Sequence, residues 1–175
     1  MTDRAVLLSI KPKYCELIAS GKKTVEVRKT RPKIPTPFKC YIYCTKPKMI
    51  TKYVFKPEDY PEYMRPEKTV FCKVPDASSP FCSPVNGNSK VIGEFVCDKI
   101  ITVDCDSVAP FDKESGKYID KETCLSRDDF VKYTGFIMAY GWHISDLKIY
   151  DTPKELSEFS LKRAPQSWCY VQEVK

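Results

Sequence analysis

Strand-like segments follow one another along this chain with few helical segments between them, and that order restricts the fold more than any other feature. Residues 5–10 form a short apolar run that reads as a buried strand. Residues 23–29 alternate and carry the β-formers Thr24, Val25 and Val27. Residues 38–45 place Tyr41 and Tyr43 on one face and Cys40, Ile42 and Cys44 on the other. Residues 90–104 are the longest strand pattern, with a bend expected near Gly93, and 142–150 and 168–174 supply two more. The helices are short. One covers 11–20, with Pro12 in its first turn, Tyr14, Leu17 and Ile18 on one face, and Gly21 as its stop. Another starts at the N-cap Ser126, takes Asp128 and Asp129 in its first turn and runs to about Tyr140. A third is capped by Thr152 and covers 153–159. Five or six strands mostly not joined by helices argue against a doubly wound sheet. They predict an α+β fold, a small mixed β-barrel decorated by two or three helices.

The length of 175 residues fits one domain, 1–175, able to bury a core without staples. Residues 46–88 read as a Pro- and aromatic-rich insertion, with Tyr53, Phe55, Tyr60 and Tyr63, a short strand at 69–74 and a turn at Asn86 and Gly87. Residues 106–121 read as a polar loop. No run of about 18 apolar residues is present, so no membrane span is expected. The N-terminus lacks a signal-peptide pattern. The nine cysteines have irregular spacing and no C-x-x-C pair, and His143 is the single histidine. Such spacing suits neither zinc nor a disulfide framework. Reduced, structural thiols and a cytoplasmic location are expected, with no metal and no cofactor.

Charge is unevenly spread. Residues 1–56 hold 14 Lys or Arg against Asp3, Glu16 and Glu26, a balance of +11, whereas the whole chain carries +6. A basic end points to an anionic partner, nucleic acid first, against the plain alternative of a lysine-rich solvated surface.

The densest polar feature lies in that end: G-K-K-T-V-E-V-R, residues 21–28. Strand parity puts Thr24, Glu26 and Arg28 on one face. Arg28 offers a planar fork of donors that suits phosphate or a base edge. Glu26 can accept from a base amino or imino group, which phosphate does not offer. Lys23 reaches the same face from the helix–strand junction, and Lys11 stands at the mouth of the first strand. The plain alternative is a solvent-facing Glu26–Arg28 salt bridge of little worth.

This segment resembles the G-x-K-x-x-E-x-R motif of the ASCH domain, the activating-signal-cointegrator homology family of the PUA-like superfamily, through Gly21, Lys23, Glu26 and Arg28. The preceding L-L-S-I-K-P-K-Y and the later segments 141–159 and 163–171 are also similar to small bacterial and phage ASCH proteins. The resemblance implies a β-barrel with a cleft at the helix–strand junction that binds RNA or a nucleobase-like ligand, lined by Lys23, Glu26 and Arg28.

Three readings follow. The first is an RNA- or nucleotide-binding module, for single-stranded nucleic acid, a nucleotide or a nucleoside. Its site would hold Lys11, Lys23, Thr24, Glu26, Arg28 and His143, with an aromatic such as Trp142, Trp168 or Tyr41 stacking on a base. Core packing is the plain alternative for both tryptophans, and a packed or hydrogen-bonded strand position for His143. The second is a hydrolase with Lys23 and Glu26 as its proton-transfer pair. Some ASCH relatives are implied to deacetylate N4-acetylcytidine with a Lys, a Thr and a Glu. Lys23 matches the Lys, but Glu26 stands where the Thr should be, with Thr24 two residues off. Glu122, Asp128 or Asp129 fall in the region of the Glu. Ribonuclease cleavage, with His143 as acid or base, belongs to the same reading. The third is a protein-interaction module using 46–88.

Overall fold

The computed structural model describes residues 4–83 and 87–174, so the expected turn residue Asn86 lies outside the described residues. Two open sheets share the core. The first contains β1 (Arg4–Ile10), β3 (Phe38–Cys44), β6 (Val91–Cys97), β10 (Ser145–Lys154) and β11 (Trp168–Gln172), in the order β10-β6-β3-β1-β11. β1 is its hinge of direction, pairing parallel with β3 and antiparallel with β11. The second contains β2 (Val25–Arg28), β7 (Ile100–Cys105), β8 (Pro110–Asp112) and β9 (Ala139–His143), in the order β2-β9-β7-β8. The α+β class stands. The hydrogen bonding does not close either sheet into the expected barrel: β10 and β11 edge one, β2 and β8 the other.

Two of the chain's passages between the sheets depart from the single strands expected at 90–104 and 142–150. β6 passes into β7 at Asp98 and Lys99, and β9 passes into β10 at Ile144. The two crossings are joined. His143 Nδ1 lies 2.7 Å from an Asp98 carboxylate oxygen, and the His143 amide donates to the Lys99 carbonyl at 2.9 Å. The register of β6 shifts beside Gly93, where Ile42 pairs with Gly93 and Tyr43 with Val91, so an irregularity falls where the bend is expected. A Cβ there would meet the Lys148 carbonyl oxygen at 2.4 Å, so this glycine permits close approach of β10.

The faces follow parity. Cys40, Ile42 and Cys44 enter the main core with Leu8, Ile10, Phe95 and Trp142, whereas Tyr41 and Tyr43 pack with Phe159 on the other side of the first sheet. A third cluster lies behind the second sheet, where Val27, Ile101 and Val103 meet Phe130. All nine cysteines are free, and Cys15, Cys40, Cys44 and Cys97 are buried as small apolar side chains. Burial pushes the Cys97 thiol up to about 12.

α1 (Pro12–Ala19) has Pro12 in its first turn, and Gly21 follows at φ +72°. Its buried seam is Pro12, Cys15 and Ile18 rather than the expected Tyr14, Leu17 and Ile18. α2 (Asp120–Thr123) occupies the end of the expected polar loop, which also contains β8. α3 (Arg127–Thr134) is capped by the Ser126 side chain, which accepts from the Asp129 amide at 3.1 Å. It ends at Gly135 (φ +69°), well short of Tyr140. Residues 152–154 continue β10, and only Leu156–Phe159 turn helically, as a 3₁₀ segment with Glu155 and Glu158 capping in place of Thr152.

Residues 46–88 contain more strand than expected. β4 (Met49–Phe55) and β5 (Val70–Pro75) form a hairpin whose two strands pair with each other alone among the described residues. The segment returns to the body at Ser79, whose hydroxyl donates to the Pro12 carbonyl at 3.2 Å. Among the described residues, no helix is long and apolar enough to cross a membrane.

Candidate functional site

The end of α1 brings the site together. Gly21 lets the chain reverse, the Lys23 amide returns to the Leu17 carbonyl, and the Thr24 amide donates to the Glu122 carbonyl. β2 then starts against α2. Glu26 and Arg28 share one strand face and pair with Trp142 and Tyr140 of β9, so their side chains enter the space between the two sheets. Val25 and Val27 take the opposite face. The parity expected for Glu26 and Arg28 is the parity observed, whereas Thr24 precedes the strand.

A solvent-facing salt bridge it is not. Lys23, Glu26 and Arg28 are 2%, 4% and 7% exposed. An Arg28 terminal nitrogen is in very short contact with a Glu26 carboxylate oxygen. The other terminal nitrogen donates to the Ser9 carbonyl at 2.9 Å. Lys23 donates to the Thr123 carbonyl at 2.5 Å and stands 3.3 Å from the second Glu26 oxygen. That second contact is one of charge: among the described residues, Glu26 Oε2 has no hydrogen-bond partner, and neither does Arg28 Nε. Three charges have therefore left water with a net +1 and with a donor and an acceptor unfilled. Desolvation at this scale costs several kcal/mol per ion, so such a cluster is poor architecture for stability alone.

The triad forms part of the wall of an open cleft of about 730 Å³. Lys11, Lys29 and Lys132 add positive charge to the wall, and Asp129 adds one acid. Tyr14 lies between them, with the Lys23 ammonium 5.2 Å from its ring centre. Burial first, then Asp129 and Glu26, raise the Tyr14 hydroxyl above its usual range.

Of the residues singled out from sequence, Lys11, Lys23, Glu26 and Arg28 meet at this cleft. Thr24, Trp142, Tyr41, Trp168 and His143 do not line it. Thr24 precedes β2 and is spent on backbone pairing with α2. Trp142 is fully buried between Phe38 and Trp168, and Tyr41 is fully buried beside Phe159, so neither offers a stacking face. Trp168 packs edge-on against Trp142 and Tyr170 and donates to the Thr30 hydroxyl at 3.0 Å. His143 is engaged by Asp98 at the sheet crossing. Of the three acids considered, Asp129 reaches the cleft; Glu122 and Asp128 are not among its lining residues. Lys132 and Tyr133, one turn further along α3, were invisible as site residues without the packing of α3 on the second sheet.

The family model for the ASCH domain matches residues 8–122. The chain belongs to the ASCH domain family. Comparison with curated proteins found no match. The fold of this ASCH chain is similar to that of the crystal structure of ASCH from Zymomonas mobilis, at TM-score 0.60 and 19% identity, covering 98% of this chain and 90% of that one. A tyrosine-to-phenylalanine mutant of that bacterial protein gives TM-score 0.58 and 20% identity over 97% and 91%. At that identity the likeness concerns the fold, which places the ASCH motif of this chain at the mouth between two sheets.

Proposed function

We propose that this ASCH chain binds RNA or a nucleotide in the cleft around Lys23, Glu26 and Arg28. One observation carries the reading: a desolvated triad of net +1 leaves Glu26 Oε2 and Arg28 Nε without hydrogen-bond partners among the described residues, in the wall of a cleft rimmed by Lys11, Lys29 and Lys132. The rim lysines attract phosphate, and Glu26 distinguishes the site from a purely electrostatic phosphate cradle, because a carboxylate accepts from a base. Family membership supports the same reading, since ASCH domains are generally thought to bind RNA. Residues 46–88 are an elaboration of this single domain, a reading supported by a hairpin that pairs only with itself among the described residues.

The test is fluorescence anisotropy with labelled single-stranded RNA. Affinity should fall steeply as salt rises. An affinity undetectable at low salt overturns the proposal, and an Arg28→Lys variant that binds as well as wild type removes Arg28 from the contact. The hydrolase alternative rests on Lys23 and Glu26 as proton-transfer pair, without Thr24 as nucleophile. Incubation with N4-acetylcytidine or labelled RNA that yields no product at high protein excess ends it.

A further inference from the structure

We propose that Tyr133 and Phe136 form a base-stacking platform beside the cleft, so that the nucleic acid taken by this chain is single-stranded. The inference rests on the reading of the cleft as a nucleic-acid site and adds its substrate class.

Phe136, Ile137 and Met138 are consecutive, large and apolar, and are 79%, 69% and 47% exposed. Water contact on three such neighbours is unfavourable and calls for a partner. Phe136 also sits at φ +63°, directly after Gly135 at φ +69°. A bulky aromatic in the left-handed region carries backbone strain that a glycine would avoid. The chain thus retains a ring at a position where both exposure and backbone disfavour it.

The surroundings identify the occupant. β2 ends at Arg28 opposite Tyr140 of β9, so residues 29–31 leave and residues 135–138 arrive at the same end of that ladder. Tyr133 lines the cleft, and Phe136 follows it by three residues. The Lys29 ammonium lies 5.4 Å from the Tyr133 ring centre, and the Arg31 guanidinium lies 5.3 Å from that of Tyr140. Lys113 reaches the Met138 sulfur at 3.3 Å, and Lys132 stands on the cleft wall. No acidic residue occurs from 130 to 145. Aromatic faces interleaved with cations, continuous with a basic cleft, match a strand whose bases stack while its phosphates run between the charges. A duplex hides those base faces. The exposed β4–β5 hairpin has apolar side chains too, but it is not continuous with the cleft wall.

The experiment uses anisotropy with a labelled single-stranded RNA of about ten nucleotides, a hairpin duplex of the same composition, and competition by nucleoside 5′-monophosphates. The variants are Phe136→Ala and Phe136→Gly. The glycine variant relieves the backbone and should melt at or above the wild-type temperature, so lost binding cannot be ascribed to unfolding. Both variants should weaken single-strand binding about 10-fold or more, with monophosphate competition preserved within about two-fold. Wild type should bind the single strand more tightly than the duplex. If wild type binds single strands and both variants bind equally well, the platform falls and the cleft reading stands. Equal affinity for duplex, or a parallel loss of monophosphate competition, also overturns the platform. If wild type binds no single strand at low salt, both readings fall.

Discussion

The Lys23 ammonium donates to the Thr123 carbonyl at 2.5 Å, across a hundred residues of chain. This bond fixes the start of β2 to the end of α2 and aims the ammonium at Glu26. Lys23 and Arg28 are thereby held around one carboxylate, away from water, where among the described residues neither cation has another acid in contact.

Glu26 should consequently be the costliest residue of the cleft to remove. Glu26→Ala leaves two buried cations without their counter-charge, and we expect a loss of about 3–5 kcal/mol in urea unfolding. Glu26→Ala combined with Arg28→Met should recover part of that loss. A single-variant loss below about 1 kcal/mol would contradict the buried triad.

Lys132 is exposed on the cleft wall and makes no ion pair among the described residues. Lys132→Ala should leave the melting temperature unchanged. If the lysine contacts one phosphate, the slope of log affinity against log salt should shrink by about 0.7 for single-stranded RNA. An unchanged slope would place the strand elsewhere.

The Asp98–His143 contact makes the sheet crossing acid-sensitive. Its hydrogen bond to His143 holds the Asp98 carboxyl below the ordinary 3.8. A carboxyl depressed in the folded state contributes stability that is present above its unfolded value and lost as pH falls through the folded value. Asp98→Asn should therefore be less stable than wild type at neutral pH, and the gap should close as pH falls below the ordinary 3.8 and through the folded value. The effect is modest because both side chains are nearly half exposed. Paired melting curves from pH 2 to 7 read it, and a gap that persists at the acid end would refute the assignment.

Gly93 allows β10 to lie against β6. Gly93→Ala places a methyl group against the Lys148 carbonyl, and backbone cannot rotate out of the way as a side chain can. We expect about 1–3 kcal/mol of destabilisation by chemical unfolding. A neutral outcome would show that the two strands separate more readily than their pairing indicates.

Local chemistry was legible wherever a residue acts within a few positions of itself. Ser126 declared its cap, the tyrosines of β3 declared their face, and Lys23, Glu26 and Arg28 declared a common side. The sheet crossing at Asp98 and Lys99 did not, because no glycine or proline marks it and the break is imposed by two sheets competing for one chain. α3 was overrun to Tyr140 because Phe136, Ile137 and Met138 continue an apolar pattern past the stop at Gly135. Trp142 and Trp168 looked like stacking residues because an aromatic beside a polar motif does not disclose which side of the strand is buried. Tyr14, Lys132 and Tyr133 join the cleft through packing of α1 and α3, which no spacing encodes, and the same packing selects Asp129 from the three acids considered.

The position of β1 gives the cleft a schedule. The Ser9 amide donates to the Ser167 carbonyl at 2.9 Å, the Ser9 hydroxyl donates to the Pro165 carbonyl at 2.6 Å, and the Ser9 carbonyl receives Arg28. One wall of the cleft is made by Ser9, Ile10 and Lys11 and its neighbour by Gln166 and Ser167, far later in the chain. A nascent chain that has not yet released residue 167 from the ribosome carries the whole motif and no finished cleft. A chain interrupted before residue 165 would therefore lack the partners of Ser9 and a finished wall despite an intact G-K-K-T-V-E-V-R segment.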